Sequence, residues 1–311
     1  MSLGWSKLQA ESPFLVLDGA MGTELERQGI PVTGHPLWSA WALLEFPQAV
    51  HDIHLAYAQA GADILTTATY QACLPGLVAA GLSVSRAAAC LTSGVTLAAR
   101  AIETHLTADG RQTPRIAASL GPYGAYRADR SEYTGEYGVD RAALYEFHAP
   151  QLDILARSDA DILAWETIPS LTEGEVLVEL LAGLPEKPAW VSFTSQDGRH
   201  TSAGEPMRDC VPLCAAHSHI WAGVNCVQPH RIASLLQADH TGRQGLRVVY
   251  PNGEPHRMSA AERRLTGPQL AEMAAAWVEA GVGVVGGCCG TAPAWTRTLA
   301  RLKASLAAGG H

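Results

Sequence analysis

The sequence predicts an α/β protein of the (β/α)8 type, a TIM barrel built as a single domain. Eight short apolar runs recur along the chain, Ala/Leu-rich segments at helical spacing separate them, and the runs are continuously apolar rather than alternating. Continuous apolar runs are expected of strands covered on both faces. Strands that alternate with helices pack in parallel. An eightfold barrel takes about 250 residues, and the runs span Phe14 to Gly287 of a 311-residue chain. A doubly wound open sheet is the competing architecture.

In chain order, the strand candidates begin with FLVL at Phe14–Leu17, ADILTT at Ala62–Thr67, RIAASL at Arg115–Leu120 and ADILAWE at Ala160–Glu166. AWVSF at Ala189–Phe193, IWAGVN at Ile220–Asn225, LRVVY at Leu246–Tyr250 and VGVVGG at Val282–Gly287 follow. Helical spacing marks Ala49–Ala60, Ala87–His105, Ala142–Ser158 and Pro268–Ala280. In AQAGADILTT and VEAGVGVVGG a glycine stands between helix and strand, where a C′ residue must turn the chain. Residues 1–12 read as an N-terminal extension and 13–311 as the barrel.

Composition narrows the function. Apolar residues make 47% of the chain and charged residues 17%, enough for a large core and unlike a disordered chain. The net charge of −8 argues against nucleic-acid binding, which needs a basic face. No apolar run reaches the ~18 residues of a membrane span. The opening MSLGWSKLQAESPF lacks a continuous apolar stretch, so no secretory leader is expected. Seven cysteines are an odd number without short regular spacing, unlike a disulfide framework. The expectation is a reduced, cytoplasmic enzyme acting on small molecules.

Barrel active sites lie at the C-terminal ends of the strands. Run one ends in Asp18-Gly19-Ala20-Met21-Gly22-Thr23, run two in Thr67-Ala68-Thr69-Tyr70 and run four in Glu166-Thr167. Run six ends in Asn225-Cys226, run seven in Tyr250-Pro251-Asn252-Gly253 and run eight in Gly287-Cys288-Cys289-Gly290-Thr291. Three cysteines therefore stand at the mouths of runs six and eight, close enough in such a barrel for one ion to bridge. Glycines 286, 287 and 290 free the backbone to aim the adjacent pair. Three thiolates select zinc, and three protein ligands with one open position are the pattern of a catalytic site. On spacing alone, buried small hydrophobes remain an alternative.

At these residues the chain resembles the homocysteine S-methyltransferase family, most closely its short members that use S-methylmethionine. The resemblance runs through DGAMGTELE at 18–26, LWSAWALLEFP at 37–47, TATYQA at 67–72 and SLGPYGAY at 119–126. It continues through ETIPS at 166–170, GVNC at 223–226, VVYPNGE at 248–254 and GGCCGT at 286–291. It implies a zinc-dependent barrel that methylates homocysteine to methionine, with Cys226, Cys288 and Cys289 as the Zn2+ ligands. Asp18 and Glu166 match acids that hold the homocysteine ammonium, and the backbone around Gly19, Ala20, Met21 and Gly22 would take its carboxylate. Trp38 and Tyr70 match aromatics near the methyl donor. Asn252 aligns with a residue that fills the open zinc position in some relatives.

The chemistry suits these residue types. A free thiol has a pKa of about 8.5, and zinc coordination deprotonates it. A sulfonium donor loses its positive charge during transfer, so a carboxylate against it would favour the ground state. Aromatic faces hold a cation more mildly, by roughly 0.5–2 kcal/mol, as Trp38 and Tyr70 would. Asp18 and Glu166 could form an acid/base pair, but transfer to a metal thiolate needs no proton shuttle, which leaves them to binding. Three alternatives stay open: S-adenosylmethionine as donor, betaine as donor (whose enzymes carry extra C-terminal sequence), and a non-catalytic barrel with structural zinc. A cobalamin-dependent synthase module is disfavoured because no cobalamin or folate domain follows.

Other patterns read as structural. Gly281 to Gly286 matches GxGxxG but forms a strand, with no acid after Glu279, so it lacks the context of a dinucleotide site. Cys210, Cys214, His217 and His219 read as a helix face and a polar turn. His51 and His54 read as solvated or capping, and Cys73 and Cys90 as buried small residues.

Overall fold

Strand β1 (Leu15–Val16) pairs in parallel with β8 (Val284–Val285), and β8 with β7 (Val248–Tyr250). The ring continues through β6 (Ile220–Asn225), β5 (Ala189–Phe193), β4 (Ile162–Ile168), β3 (Arg115–Leu120) and β2 (Ile64–Thr66). A parallel bridge between Leu17 and Ile64 closes it. This is a computed structural model, and it describes residues 5, 12–32, 34–35, 37–109, 113–238, 245–253 and 265–309. Strict sequential order around a closed ring excludes the doubly wound alternative, whose strand order reverses at a switch point.

The last helix after each strand is, in order, α1 (Pro47–Ala60), α2 (Val84–Asp109), α3 (Arg141–Ala156), α4 (Leu171–Ala182), α5 (Met207–Ala215), α6 (Ile232–Ala238), α7 (Gly267–Glu279) and α8 (Pro293–Gly309), with shorter helical segments before some of them. Their ends obey local chemistry. Pro47 opens α1, and Gly61 ends it at φ +100°. The Asp140 carboxylate caps α3 by accepting from the Ala143 N–H at 2.9 Å, and the Ser170 hydroxyl caps α4 by accepting from Glu173 at 3.2 Å.

Alternate strand residues divide two apolar clusters. Leu15, Leu17, Ile64, Ile162, Trp190, Val248 and Val284 fill the barrel. Their outward neighbours Val16, Leu65, Leu163, Val191 and Val249 pack under the helices. Trp5 joins the interior cluster. It stacks on Trp221 at 4.0 Å and donates its indole N–H to the His219 carbonyl at 3.0 Å. Arg247 covers Trp221 at 4.9 Å. Of residues 1–12, Trp5 and Ser12 are described; the rest of the predicted extension, and Glu254 of the VVYPNGE motif, lie outside the described residues.

The regular strands are shorter than the apolar runs at β1, β2, β7 and β8, while β4 extends two residues further, to Ile168. One reading fails outright. His54 is wholly buried in α1 and neither ring nitrogen has a partner, so it neither caps nor meets water. His51, one turn back, bonds Asp52 at 2.8 Å. Cys73, Cys90, Cys210 and Cys214 are buried and free, as expected of small core residues.

Candidate active site at the strand C-termini

The strand tips enclose a cavity of about 810 Å³. Its walls include Asp18 to Gly22, Trp38, Tyr70, Glu166, Cys226, Asn252, Cys288 and Cys289, so every predicted site residue lines one space.

The three cysteines meet there. The Cys226 sulfur lies 2.7 Å from that of Cys288 and 3.8 Å from that of Cys289, and all three fall within 4.8 Å of one another. Among the described residues this is the one such group of His, Cys, Asp or Glu. Backbone bonds lace the tips: Cys288 N–H donates to the Pro251 carbonyl at 2.8 Å and Gly253 N–H to that of Cys289 at 2.9 Å. Cys226 adopts φ +51°. As a proton-sharing trio they are uneven: Cys226 and Cys288 are pushed above the ordinary thiol range, whereas Cys289, accepting from both, is held well below it.

A metal ion fits this donor set. Tetrahedral zinc with sulfurs at about 2.3 Å needs them about 3.8 Å apart. The Cys226–Cys289 separation meets that, and Cys226–Cys288 needs to open by about 1 Å. Asn252, at the tip of β7, carries a buried amide oxygen without a partner.

Two acids sit in the same wall. Asp18 is 2% exposed and accepts from both the N–H and the hydroxyl of Thr66, each at 2.8 Å. Burial still pushes its carboxyl well above the usual range, with Glu166 adding to the shift. Glu166 accepts from the Ser119 hydroxyl, and burial lifts it to about 7.

Trp38 and Tyr70 meet edge to face at 6.4 Å. A Cβ on Gly22 would lie 2.7 Å from the Trp38 ring, so glycine is required for that indole to seat. Met21–Arg27 forms a short helix directly after β1, and Ala20 N–H donates to the Thr291 hydroxyl at 3.2 Å.

Sequence reasoning missed several wall residues. Asn225 is 1% exposed; its amide accepts from Thr167 N–H at 2.7 Å and donates to the Thr167 hydroxyl at 2.8 Å, tying the β4 tip to the β6 tip. Tyr133 faces the thiols, whose charge and burial push its phenol far up, Cys226 first. Glu132 stands beside it in the wall. Both lie in the twenty residues between β3 and α3, and that unusual length was the one available signal.

Fold and site together place the protein among barrel enzymes that work at the strand C-termini, with a donor set able to hold one metal ion. The chain belongs to the homocysteine S-methyltransferase family, whose model matches residues 15–302. It is 41% identical over 304 residues to homocysteine S-methyltransferase YbgG of Bacillus subtilis (strain 168), covering 92% of this chain and 96% of that protein. It is 36% identical to selenocysteine Se-methyltransferase of Brassica oleracea var. italica, covering 94% and 89%. The metallated homocysteine methyltransferase MmuM of Escherichia coli superposes with a TM-score of 0.84 at 39% identity, covering 94% of this chain and 98% of that one. Among the described residues, no helix is long and apolar enough to cross a membrane.

Proposed function

We propose that this protein transfers a methyl group from a small sulfonium donor, S-methylmethionine or S-adenosylmethionine, to the thiol of homocysteine, giving methionine. The observation that carries the reading is the convergence of Cys226, Cys288 and Cys289 on one point of the cavity. These three would hold Zn2+, and the Asn252 amide oxygen would fill a fourth position that the substrate can take. Zinc, when bound, supplies a Lewis acid that keeps a thiol deprotonated at neutral pH.

The chain's own residues do the rest. Asp18 and Glu166 bind the homocysteine ammonium, whose charge relieves their raised pKa values. Backbone amides around Gly19, Ala20, Met21 and Gly22 take the carboxylate. Trp38 and Tyr70 hold the sulfonium against their faces without fixing its charge. The homocysteine thiol gives its proton to solvent. A sulfur–methyl bond forms as the donor's sulfur–methyl bond breaks, and the electron pair stays on the donor sulfur, which leaves as a neutral thioether. All seven cysteines are free, which suits a reducing, cytoplasmic compartment.

The test is methionine formation from homocysteine with S-methylmethionine, S-adenosylmethionine and betaine in parallel, with metal content measured. Turnover with a sulfonium and about one zinc per chain is expected. Turnover with betaine alone, or full activity after exhaustive chelation, would refute the reading.

A further inference from the structure

The chain between β3 and α3 lines the cavity through Ala128, Arg130, Glu132 and Tyr133 and is pinned from several sides. A helical turn at Tyr123–Arg127 packs on a 3-10 turn at Ser131–Tyr133 so closely that a Cβ on Gly124 would lie 2.2 Å from the Glu132 nitrogen. The Tyr123 N–H and the Tyr137 hydroxyl donate to the Glu173 carboxylate at 2.7 and 2.9 Å. That carboxylate also meets His148 at 2.9 Å, and both residues are wholly buried. The Gln196 amide donates to the Tyr133 carbonyl at 3.2 Å.

This scaffold presents Glu132 to the cavity. One carboxylate oxygen of Glu132 is buried and has no hydrogen-bond partner. A stranded buried acceptor costs about 1–3 kcal/mol, and here it is held in place by a braced loop. Burial, with Asp129 adding, keeps the carboxyl above its usual range. Glu132 lines the same cavity as Trp38 and Tyr70, and its charge adds to the burial that raises the Tyr70 phenol. Arg130 and Arg231 line the same space and bring positive charge.

We propose that Glu132 receives the α-ammonium of an amino-acid methyl donor, so that the enzyme selects sulfonium donors bearing a free amino group. Arg130 and Arg231 complement the donor's carboxylate. The inference rests on the sulfonium-donor reading above and adds the feature by which the donor is recognised.

The experiment compares kcat/KM for S-methylmethionine and for its desamino analogue, (3-carboxypropyl)dimethylsulfonium, in wild type and Glu132→Gln. Wild type is expected to prefer the amino donor by roughly 10- to 100-fold, the worth of a charged hydrogen bond. In Glu132→Gln that ratio falls close to one, and the loss appears with the amino donor rather than in KM for homocysteine. A preference that survives the substitution overturns the proposal. Equal loss with both donors also overturns it, since the carboxylate would then act on the sulfonium. Glu132→Asp keeps the charge at shorter reach and is read the same way if the Gln variant fails to fold: a reduced preference supports the assignment and a full one refutes it. A wild type that uses both donors equally refutes Glu132 alone. A wild type that uses neither refutes the donor reading, and this inference with it.

Discussion

Asn225 offers the sharpest test of how the site is held. It occupies the last position of β6, beside Cys226, and its amide makes two bonds of 2.7 and 2.8 Å to Thr167 across the intervening strand. Thr167 is itself 2% exposed and sits at φ +61°, a backbone region that a β-branched residue enters only under constraint. Asn225→Ala strands the buried Thr167 N–H and takes one of two partners from the Thr167 hydroxyl, which the Tyr70 phenol still reaches. At about 1.5 kcal/mol for the stranded N–H and about 0.5 for the lost bond to the hydroxyl, the loss is about 2 kcal/mol of unfolding free energy. Relaxation of Thr167 also shifts its neighbour Glu166, so KM for homocysteine rises. Asn225→Asp keeps an acceptor for both the Thr167 N–H and its hydroxyl, and loses the amide N–H that points at the Cys288 sulfur from 3.8 Å. It should therefore hold most of the stability yet bind homocysteine worse, because a second anion now faces the thiolates. Urea unfolding and homocysteine titration of the three proteins decide it. An alanine variant within about 0.5 kcal/mol of wild type, the range of an ordinary surface change, refutes the reasoning.

Two further outcomes are expected. Cys288→Ala removes one of three converging sulfurs, so tightly held metal and methyl transfer are both lost while circular dichroism stays that of a folded barrel; unchanged metal content would take Cys288 out of the site. His54, pushed down to about 3 by burial with His51 adding, stays neutral in the native state, while the unfolded chain takes up its proton below about pH 6.5. Stability from this residue is therefore intact above pH 6.5 and is lost as pH falls toward 3, by about 2 kcal/mol at pH 5. In urea unfolding, the stability of His54→Leu relative to wild type should rise by that amount between pH 7.5 and 5; an unchanged difference refutes the assignment.

The barrel was legible because parallel strands covered on both faces leave a plain sequence mark. Where strands are short, the marks run longer than the regular ladder for a physical reason. The tips stay bonded after the ladder ends: Leu17 N–H reaches the Val285 carbonyl at 2.9 Å, and Gly287 N–H reaches that of Asp18 at 3.1 Å. His54 was misread although the pattern held it. Val50, Ile53, His54, Tyr57 and Ala58 form one buried helical stripe, and only the polarity of imidazole suggested water. Trp5 was not readable, and for Glu132 only the length of its connection gave a signal. The Trp5 partner lies 214 residues away, and Glu132 matters because Gly124, Tyr137 and Glu173 brace the turn beneath it. Neither relation has a periodicity to detect.

Backbone strain shows why the cavity, rather than the barrel, is where sequence rules fail. Among the described residues, five non-glycine residues have φ between +43° and +72°: Trp38, Ala128, Arg130, Thr167 and Cys226. All five line the cavity. Each such residue costs on the order of 1 kcal/mol, and glycine would remove that cost. At Cys226 glycine would also remove the sulfur, and at Trp38 the ring that packs on Gly22. At Thr167 it would free a backbone that Asn225 now clamps between Glu166 and the β6 tip. At Cys226 and Trp38, side chains assigned to the proposed chemistry sit on a backbone shaped for glycine. The surrounding fold holds them there: backbone bonds between the β7 and β8 tips, Asn225 between β4 and β6, and the buried Glu173–His148 pair bonded to the β3–α3 connection. A barrel wall alone would tolerate relaxation at any of these points, but three sulfurs proposed to close on one metal ion would not.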